Sequence, residues 1–408
     1  MTPDPQDAML TGLKVIDCGE NVSAPYAAKL MADVGAEVIK VEPPGIGDVA
    51  RSRGPFPRER EGDRECSGLF LALNTSKRGM TIDLVHPQGR ALLDRLVKHA
   101  DVLIHNYTPA RARSLGLDYE RLCAVNGQLI VTQITTYGAS GPKSEWMAHN
   151  LNGVAAGGWL YMSPGYSKDT ELPPLKTFGQ QGDFQGGIHG ALATMAALFA
   201  RRTIGRGQLV DVSIQEAIAA ALELGFVKWT YNGEISHRCG TLGPSAPYGI
   251  LRCKDGLLHF LILEEAHWKG LVKIMGNPEW TTWDLFNSGR DRALNQDVLE
   301  MQVEEWLKDY TVQEVYEMAR RERLPISPVA DLDHLLNMDQ LKARDYFTEI
   351  EHPAAGNLIY AGAPYKLSTR AWGLRRPAPL LGQHNREILS EIGLSGDEMV
   401  RLEKAGVI

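Results

Sequence analysis

Leu13–Asp17 reads LKVID, Pro25–Val34 reads PYAAKLMADV and Glu37–Val41 reads EVIKV. The first is an apolar run of strand length. The second places Ala28, Leu30, Met31 and Val34 at helical spacing, and Gly35 follows where a glycine commonly ends a helix. The third is again a strand. A strand, a helix and a second strand in immediate succession form a βαβ unit, and such a unit requires parallel strands.

The alternation continues downstream. Gln88–His99 is helical, with Leu92, Leu93, Leu96 and Val97 on one face. DVLI (Asp101–Ile104) and QLIVTQI (Gln128–Ile134) are strands. Gly186–Arg201 is a helix rich in small residues, Val210–Val212 a strand and Ile214–Leu224 a helix. This pattern predicts an α/β fold with a parallel sheet covered on both faces. From Trp229 to Pro325 the pattern changes. Gly249–Cys253 and Leu257–Leu263 flank Lys254-Asp255-Gly256, a hairpin signature. Helices follow around His267–Met275, Gln296–Asp309 and Val312–Glu322. The expected organisation is 1–228, a smaller α+β domain over 229–325, and a C-terminal part over 326–408 with mixed strands and a helical end.

The 408 residues are 44% hydrophobic, enough for a proper core, and the net charge of -7 argues against nucleic-acid binding. No run of about 18 apolar residues is present, so no membrane span is expected. MTPDPQDAML has neither a basic n-region nor an apolar stretch, so no signal peptide is expected. Cys18, Cys66, Cys123, Cys239 and Cys253 are scattered, with no C-x-x-C pair. Neither a metal site nor a disulfide framework is indicated, and a cytoplasmic protein with reduced thiols is expected.

A βαβ start invites a nicotinamide reading, with Glu42 at the end of the second strand. The first turn, however, is Cys18-Gly19-Glu20-Asn21-Val22-Ser23-Ala24-Pro25. One glycine followed by a glutamate cannot bring the backbone against a pyrophosphate as G-x-G-x-x-G does. Nicotinamide binding is therefore not expected, and no P-loop occurs.

Several segments stand in this order along the chain: Gly12–Asp17, Ala24–Ala27, Ala32–Glu42, Gly47-Asp48-Val49-Ala50-Arg51, Asn74-Thr75-Ser76-Lys77-Arg78 and Asn106-Tyr107-Thr108-Pro109. Leu115–Tyr119, Gly182-Asp183-Phe184, Thr203–Gln208 and Leu381-Gly382-Gln383-His384 complete the series. Spanning nearly the whole chain, it resembles the class III CoA-transferase family, a superfamily that also contains α-methylacyl-CoA racemases. The resemblance implies a Rossmann-like large domain formed by both chain ends, an inserted smaller α+β domain and an interlinked, ring-like homodimer. It implies coenzyme A as the carrier, and an acyl-CoA and a free organic acid as partners. No metal, nicotinamide, nucleic acid or membrane is called for.

Asp183 aligns with the family's catalytic aspartate. A carboxylate can act as a covalent nucleophile and divide one hard acyl transfer into easier steps. As a first-turn acid it would also support its helix. Gly182, Gly186 and Gly187 would allow a close backbone approach or oxyanion donors, or alternatively tight helix packing. The resemblance places Arg51, Asn74, Lys77, Arg78, Asn106 and Tyr107 at the CoA site. Arg51, Arg53, Arg58, Arg60 and Arg64 make this stretch basic. Ser114 stands where the family commonly has an arginine, and Arg113, with Arg111 nearby, is expected to take its place. Leu151 replaces an acidic residue of formyl-CoA transferases, which points away from formate or oxalate. Trp159, Tyr161, Trp229, Tyr231 and Trp268 could line a pocket for a bulkier acyl group.

Two alternatives stay open. His149-Asn150-Leu151-Asn152 resembles the racemase G-H-D-x-N segment, and His149 with Asp183 would then exchange protons at an α-carbon. The chain could also bind CoA without doing chemistry, since a fold does not dictate a function.

Overall fold

The computed structural model describes residues 8–163, 171–238, 245–368 and 372–408. Cys239 lies outside the described residues. The chain divides into two compact units, one of Met1–Trp159, Lys176–Phe226 and Asp345–Ile408, the other of Leu160–Leu175 and Val227–Arg344.

The larger unit carries six strands: β1 (Lys14–Asp17), β2 (Glu37–Glu42), β3 (Arg78–Thr81), β4 (Val102–His105), β5 (Ile130–Thr135) and β6 (Leu209–Ser213). Their order is β3-β2-β1-β4-β5-β6 and every pairing is parallel. This is the doubly wound Rossmann order, whose direction reverses between β1 and β4. β4 and β5 are buried at every position. Strands covered on both faces read as continuous apolar runs rather than alternating ones.

Among the described residues, nine α-helices lie between Ser23 and Ala219: α1 (Ser23–Asp33), α2 (Gly68–Leu73), α3 (Pro87–Val97), α4 (Pro109–Leu115), α5 (Tyr119–Val125), α6 (Asn150–Ala156), α7 (Trp159–Met162), α8 (Gln181–Ile204) and α9 (Ile214–Ala219). Leu92, Leu93 and Leu96 of α3, Leu115 of α4 and Leu122 of α5 form one core with Ile388 and Leu389 of the C-terminal helix Asn385–Glu391. α1 and α8 pack along each other, and α8 also lies on β5 and β6. The helix expected over Gly186–Arg201 begins five residues earlier, at Gln181. Three glycines in its first turns, each about 1 kcal/mol poorer than alanine, mask its start. Tertiary packing overrides that cost, and Asp183 falls in the first turn.

In the smaller unit β7 (Tyr248–Arg252), β8 (Leu257–Leu261) and β9 (Ile326–Pro328) form an antiparallel sheet. Asp255-Gly256 lies in the β7–β8 hairpin connection. Phe260, Trp268, Phe286, Leu299, Val303 and Val315 pack in its core. Against the boundary at 325, Ile326 pairs with Phe260 and this unit runs to Arg344. The hairpin β10 (Phe347–His352) and β11 (Gly356–Ala361) belongs to the larger unit.

Candidate active site

Ligands of open α/β sheets favour the carboxyl ends of the strands where the order reverses. Here those ends lead into Cys18–Val22 after β1 and Asn106–Thr108 after β4. Asn106 joins the two loops. Its Oδ1 accepts the Glu20 backbone N–H at 2.9 Å, and its Nδ2 donates to the Glu20 carbonyl at 2.8 Å and to Ser23 Oγ at 3.3 Å. A cleft of about 930 Å³ opens over them, lined among others by Glu20, Arg53, Tyr107, Arg111, His149 and Asp183.

α8 reaches this cleft because it carries almost no side-chain bulk where it meets the sheet. A Cβ on Gly186 would lie 2.6 Å from Ile214 Cγ1, one on Gly187 2.8 Å from the Ser23 carbonyl, and one on Gly190 2.5 Å from Ile134 Cδ1. A Cβ on Gly182 would lie 2.9 Å from Asn150 Oδ1 and from Val154 Cγ2. The space over Gly182, Gly186 and Gly187 is therefore filled by protein, so these glycines seat the helix rather than admit a ligand.

Asp183 is only 8% exposed. Its backbone N–H donates to Asn150 Oδ1 at 3.2 Å, while its carboxylate makes no hydrogen bond or ion pair with a described residue. Burial pushes the carboxyl up to about 6, against the pull of Arg53 and then of His149. His149 is exposed at the cleft and sits at the N-terminus of α6, where its backbone N–H donates to Asn152 Oδ1 at 2.9 Å.

Most of the basic residues expected at CoA lie elsewhere. Arg51 is 1% exposed. It pairs with Glu42 at 2.7 Å and Glu65 at 2.8 Å, donates to the Pro379 carbonyl and stacks 3.6 Å over the Phe70 ring. Lys77 is fully buried and donates to Asp17 Oδ2, the Pro25 carbonyl and Asn74 Oδ1, each at 2.8 Å. Asn74 spends its own Nδ2 on the Phe70 carbonyl. Lys40 joins this network through Asp48, at 2.7 Å, and through the Gly19 carbonyl. Burial pushes Lys77 down to about 8. Burial opposes ionisation of Asp17 too, but Lys40 and Lys77 hold its carboxyl below the usual range. Lys77, held by Asn74, thus braces the start of the loop after β1 through Asp17, which accepts the Gly19 N–H at 3.0 Å, while Arg51 ties Glu42 to Glu65 and Pro379. Arg78 pairs with Glu387 and Glu391, and Arg113 pairs with Glu145 at 3.2 Å. Arg51, Asn74, Lys77, Arg78 and Arg113 have one thing in common: each already has a partner within the protein.

Asn106 and Tyr107 do line the cleft, together with Arg53, Arg111, Tyr137 and Trp146. Arg111 rather than Arg113 faces it, because residues two apart on a helix point in different directions. The side chain of Tyr107 hydrogen-bonds Glu20, whose carboxyl burial and Asp48 raise. Nothing in the sequence singled out Glu20, Tyr137 or Trp146. Of the aromatics expected to form a substrate pocket, Trp268 is core of the smaller unit, and Tyr161, Trp229 and Tyr231 are exposed. Among the described residues no group of three or more His, Cys, Asp or Glu could hold a metal ion. No helix there is long and apolar enough to cross a membrane.

CoA-transferase family III matches residues 10–385, and the chain belongs to that family. The chain is similar to succinyl-CoA–D-citramalate CoA-transferase of Chloroflexus aurantiacus, 32% identical over 98% of both chains. It is similar to a subunit of succinyl-CoA:(R)-benzylsuccinate CoA-transferase of Thauera aromatica, 32% identical over 94% of both. Formyl-CoA:oxalate CoA-transferase of Rhodopseudomonas palustris is 29% identical over 98% of this chain and 97% of its own. Among solved structures, a CAIB/BAIF family protein from Brucella suis superposes with a TM-score of 0.85 at 27% identity, over 95% of this chain and all of that one. The protein is an enzyme of the class III CoA-transferase type.

Proposed function

We propose that this enzyme moves CoA from an acyl-CoA to a free organic acid through covalent intermediates on Asp183. The observation that carries the proposal is a nearly buried carboxylate, facing the cleft and free of protein partners. A carboxylate stripped of water and hydrogen bonds is a stronger nucleophile than a solvated one.

The ionised Asp183 attacks the donor thioester carbonyl. The C–S bond breaks, leaving a mixed anhydride and CoA thiolate. The thiolate attacks the Asp183 carbonyl, which forms an aspartyl-CoA thioester and releases the donor acid. The acceptor carboxylate then attacks that thioester, giving a new anhydride and thiolate. Attack of the thiolate on the acceptor's carbonyl yields acyl-CoA and restores Asp183. Thioester energy is conserved, so no nucleotide is consumed.

In this reading Asn106 and Tyr107 shape the floor of the CoA channel, and Arg111 supplies a cation for its phosphates. An acid of medium size fits the cleft better than formate. A homodimer accompanies it: Ile188, Leu192, Met195 and Phe199 form an exposed apolar stripe on α8, at 42%, 66%, 37% and 73% exposure, which water disfavours. His149 lines the same cleft and keeps a two-base proton exchange as the rival reading.

The test incubates the protein with a panel of acyl-CoAs and hydroxylamine, followed by peptide mass spectrometry. A hydroxamate at Asp183 that requires acyl-CoA is expected. Absence of the adduct, with deuterium entering the substrate α-carbon in heavy water, would replace the transferase mechanism with proton exchange by His149 and Asp183. A CoA binder without chemistry would show neither.

A further inference from the structure

Arg53 stands two residues from Arg51, yet the surroundings of the two differ. Arg51 is closed in by Glu42, Glu65 and the Phe70 ring. Arg53 has no carboxylate at ion-pair distance among the described residues. It is half-buried on the wall of the cleft that holds Asp183. Its Nη1 donates to Asn21 Oδ1. Asn21 is itself fixed, since its backbone N–H donates to Asp48 Oδ1 at 2.8 Å, and Asp48 is paired with Lys40. The guanidinium is thus held in place with most of its five donors unspent. A cation partly withdrawn from water and lacking a counterion is costly to keep, and an arriving anion relieves that cost.

The chemistry narrows what that anion is. The acceptor's reacting carboxylate loses its charge as it is acylated. A fixed cation on it would stabilise the ground state more than the transition state and slow the reaction. The phosphates of CoA are separated from the reacting sulfur by the whole pantetheine arm, whereas Arg53, unlike Arg111, lies near enough to Asp183 in their shared cleft to pull on its carboxyl. A charge that persists through every step, close to the reacting carbonyl, belongs to a second carboxylate on the acid. A planar guanidinium matches a carboxylate with two parallel hydrogen bonds.

We infer that Arg53 binds the distal carboxylate of the substrate acid, so that the acids exchanged on Asp183 are dicarboxylic. This rests on the covalent reading above and adds a substrate class and a specificity residue to it.

The experiment follows hydroxamate formation at Asp183 with two pairs of thioesters that differ only at the far end, succinyl-CoA against butyryl-CoA and glutaryl-CoA against pentanoyl-CoA. The wild-type enzyme is expected to react about 10- to 100-fold faster with the carboxylated member of a pair, the range of a charged hydrogen bond. Arg53→Gln should bring the members of each pair within about threefold of each other, and Arg53→Lys should keep part of the preference. The ratio is the readout, because removing a charge near Asp183 alters both rates alike. Equal wild-type rates within each pair would overturn the inference while leaving covalent catalysis standing. A preference that survives in Arg53→Gln would also overturn it. No hydroxamate from any of the four would remove the covalent reading and the inference with it.

Discussion

The loop after β1 separates two collections of charge that use the same residue types in opposite ways. Beneath it, Asp17, Lys40, Asp48 and Lys77 are sealed from water and meet one another at 2.7–3.8 Å. Above it, Asp183, Arg53 and Arg111 share a cleft with no ion pair among them. The lower set is satisfied internally, so it fixes geometry and reacts with nothing. The upper set is left incomplete by the protein, and on the function proposed above a ligand completes it. Burial alone does not distinguish the two, since Asp183 is nearly as buried as Asp17. What distinguishes them is whether partners come with the fold.

The largest effect expected is on Asp183. Asp183→Asn should lower turnover by at least about 10⁴-fold, as loss of a covalent nucleophile does, while CoA affinity measured by calorimetry changes little. Turnover within tenfold of wild type would break the comparison at its upper half. The lower half is tested by Lys77→Ala, which takes from Asp17 its hydrogen-bonded cation and leaves it Lys40 at 3.8 Å. A loss of about 3 kcal/mol in unfolding free energy is expected from denaturant titration, because a buried ion-pair network loses one partner. The same substitution at Arg111 should cost almost no stability and should raise the KM for acyl-CoA about tenfold, as loss of a phosphate contact would.

Asp183 also sets two pH dependences. Its carboxyl lies raised to about 6, so the nucleophilic form is lost as pH falls through that value. kcat/KM should drop about tenfold per pH unit below it. Stability runs the other way. Burying an ionised Asp183 disfavours the folded state above pH 6, and the penalty is relieved as pH falls toward the unfolded-state value of 3.8. Asp183→Asn should therefore be more stable than wild type at pH 8 by about 2–3 kcal/mol, at about 1.4 kcal/mol per tenfold change in proton affinity. The gap should close near pH 4, as melting curves across that range would show.

Much of the fold was legible because a buried parallel strand such as VLIH announces itself as an apolar run, and IVTQIT as a stretch rich in β-branched residues. β9 was not, since three residues carry no period and its pairing with β8 lies more than sixty positions away. Asp183 was singled out by its motif, but the cations that share its cleft were not. Arg51 and Arg53 occupy one R-x-R, and only folding decides that one meets Glu42 and the other the cleft. Arg111 and Arg113 repeat the lesson on α4, where helical phase turns one to the cleft and leaves the other paired with Glu145. The glycines of α8 point the same way. The sequence allowed either a close backbone approach to a ligand or tight helix packing, and Ile214, Ser23 and Asn150 occupy the space.

The central claim is that Asp183 carries the CoA between acids, and an oxygen label tests it most directly. The acceptor acid is supplied with ¹⁸O in both carboxylate oxygens, and the Asp183 peptide is weighed after turnover. Attack of the acceptor on the aspartyl thioester leaves one of its oxygens in the side chain when the anhydride is cleaved, so ¹⁸O should accumulate in Asp183. Unlabelled Asp183 after many turnovers would contradict the account.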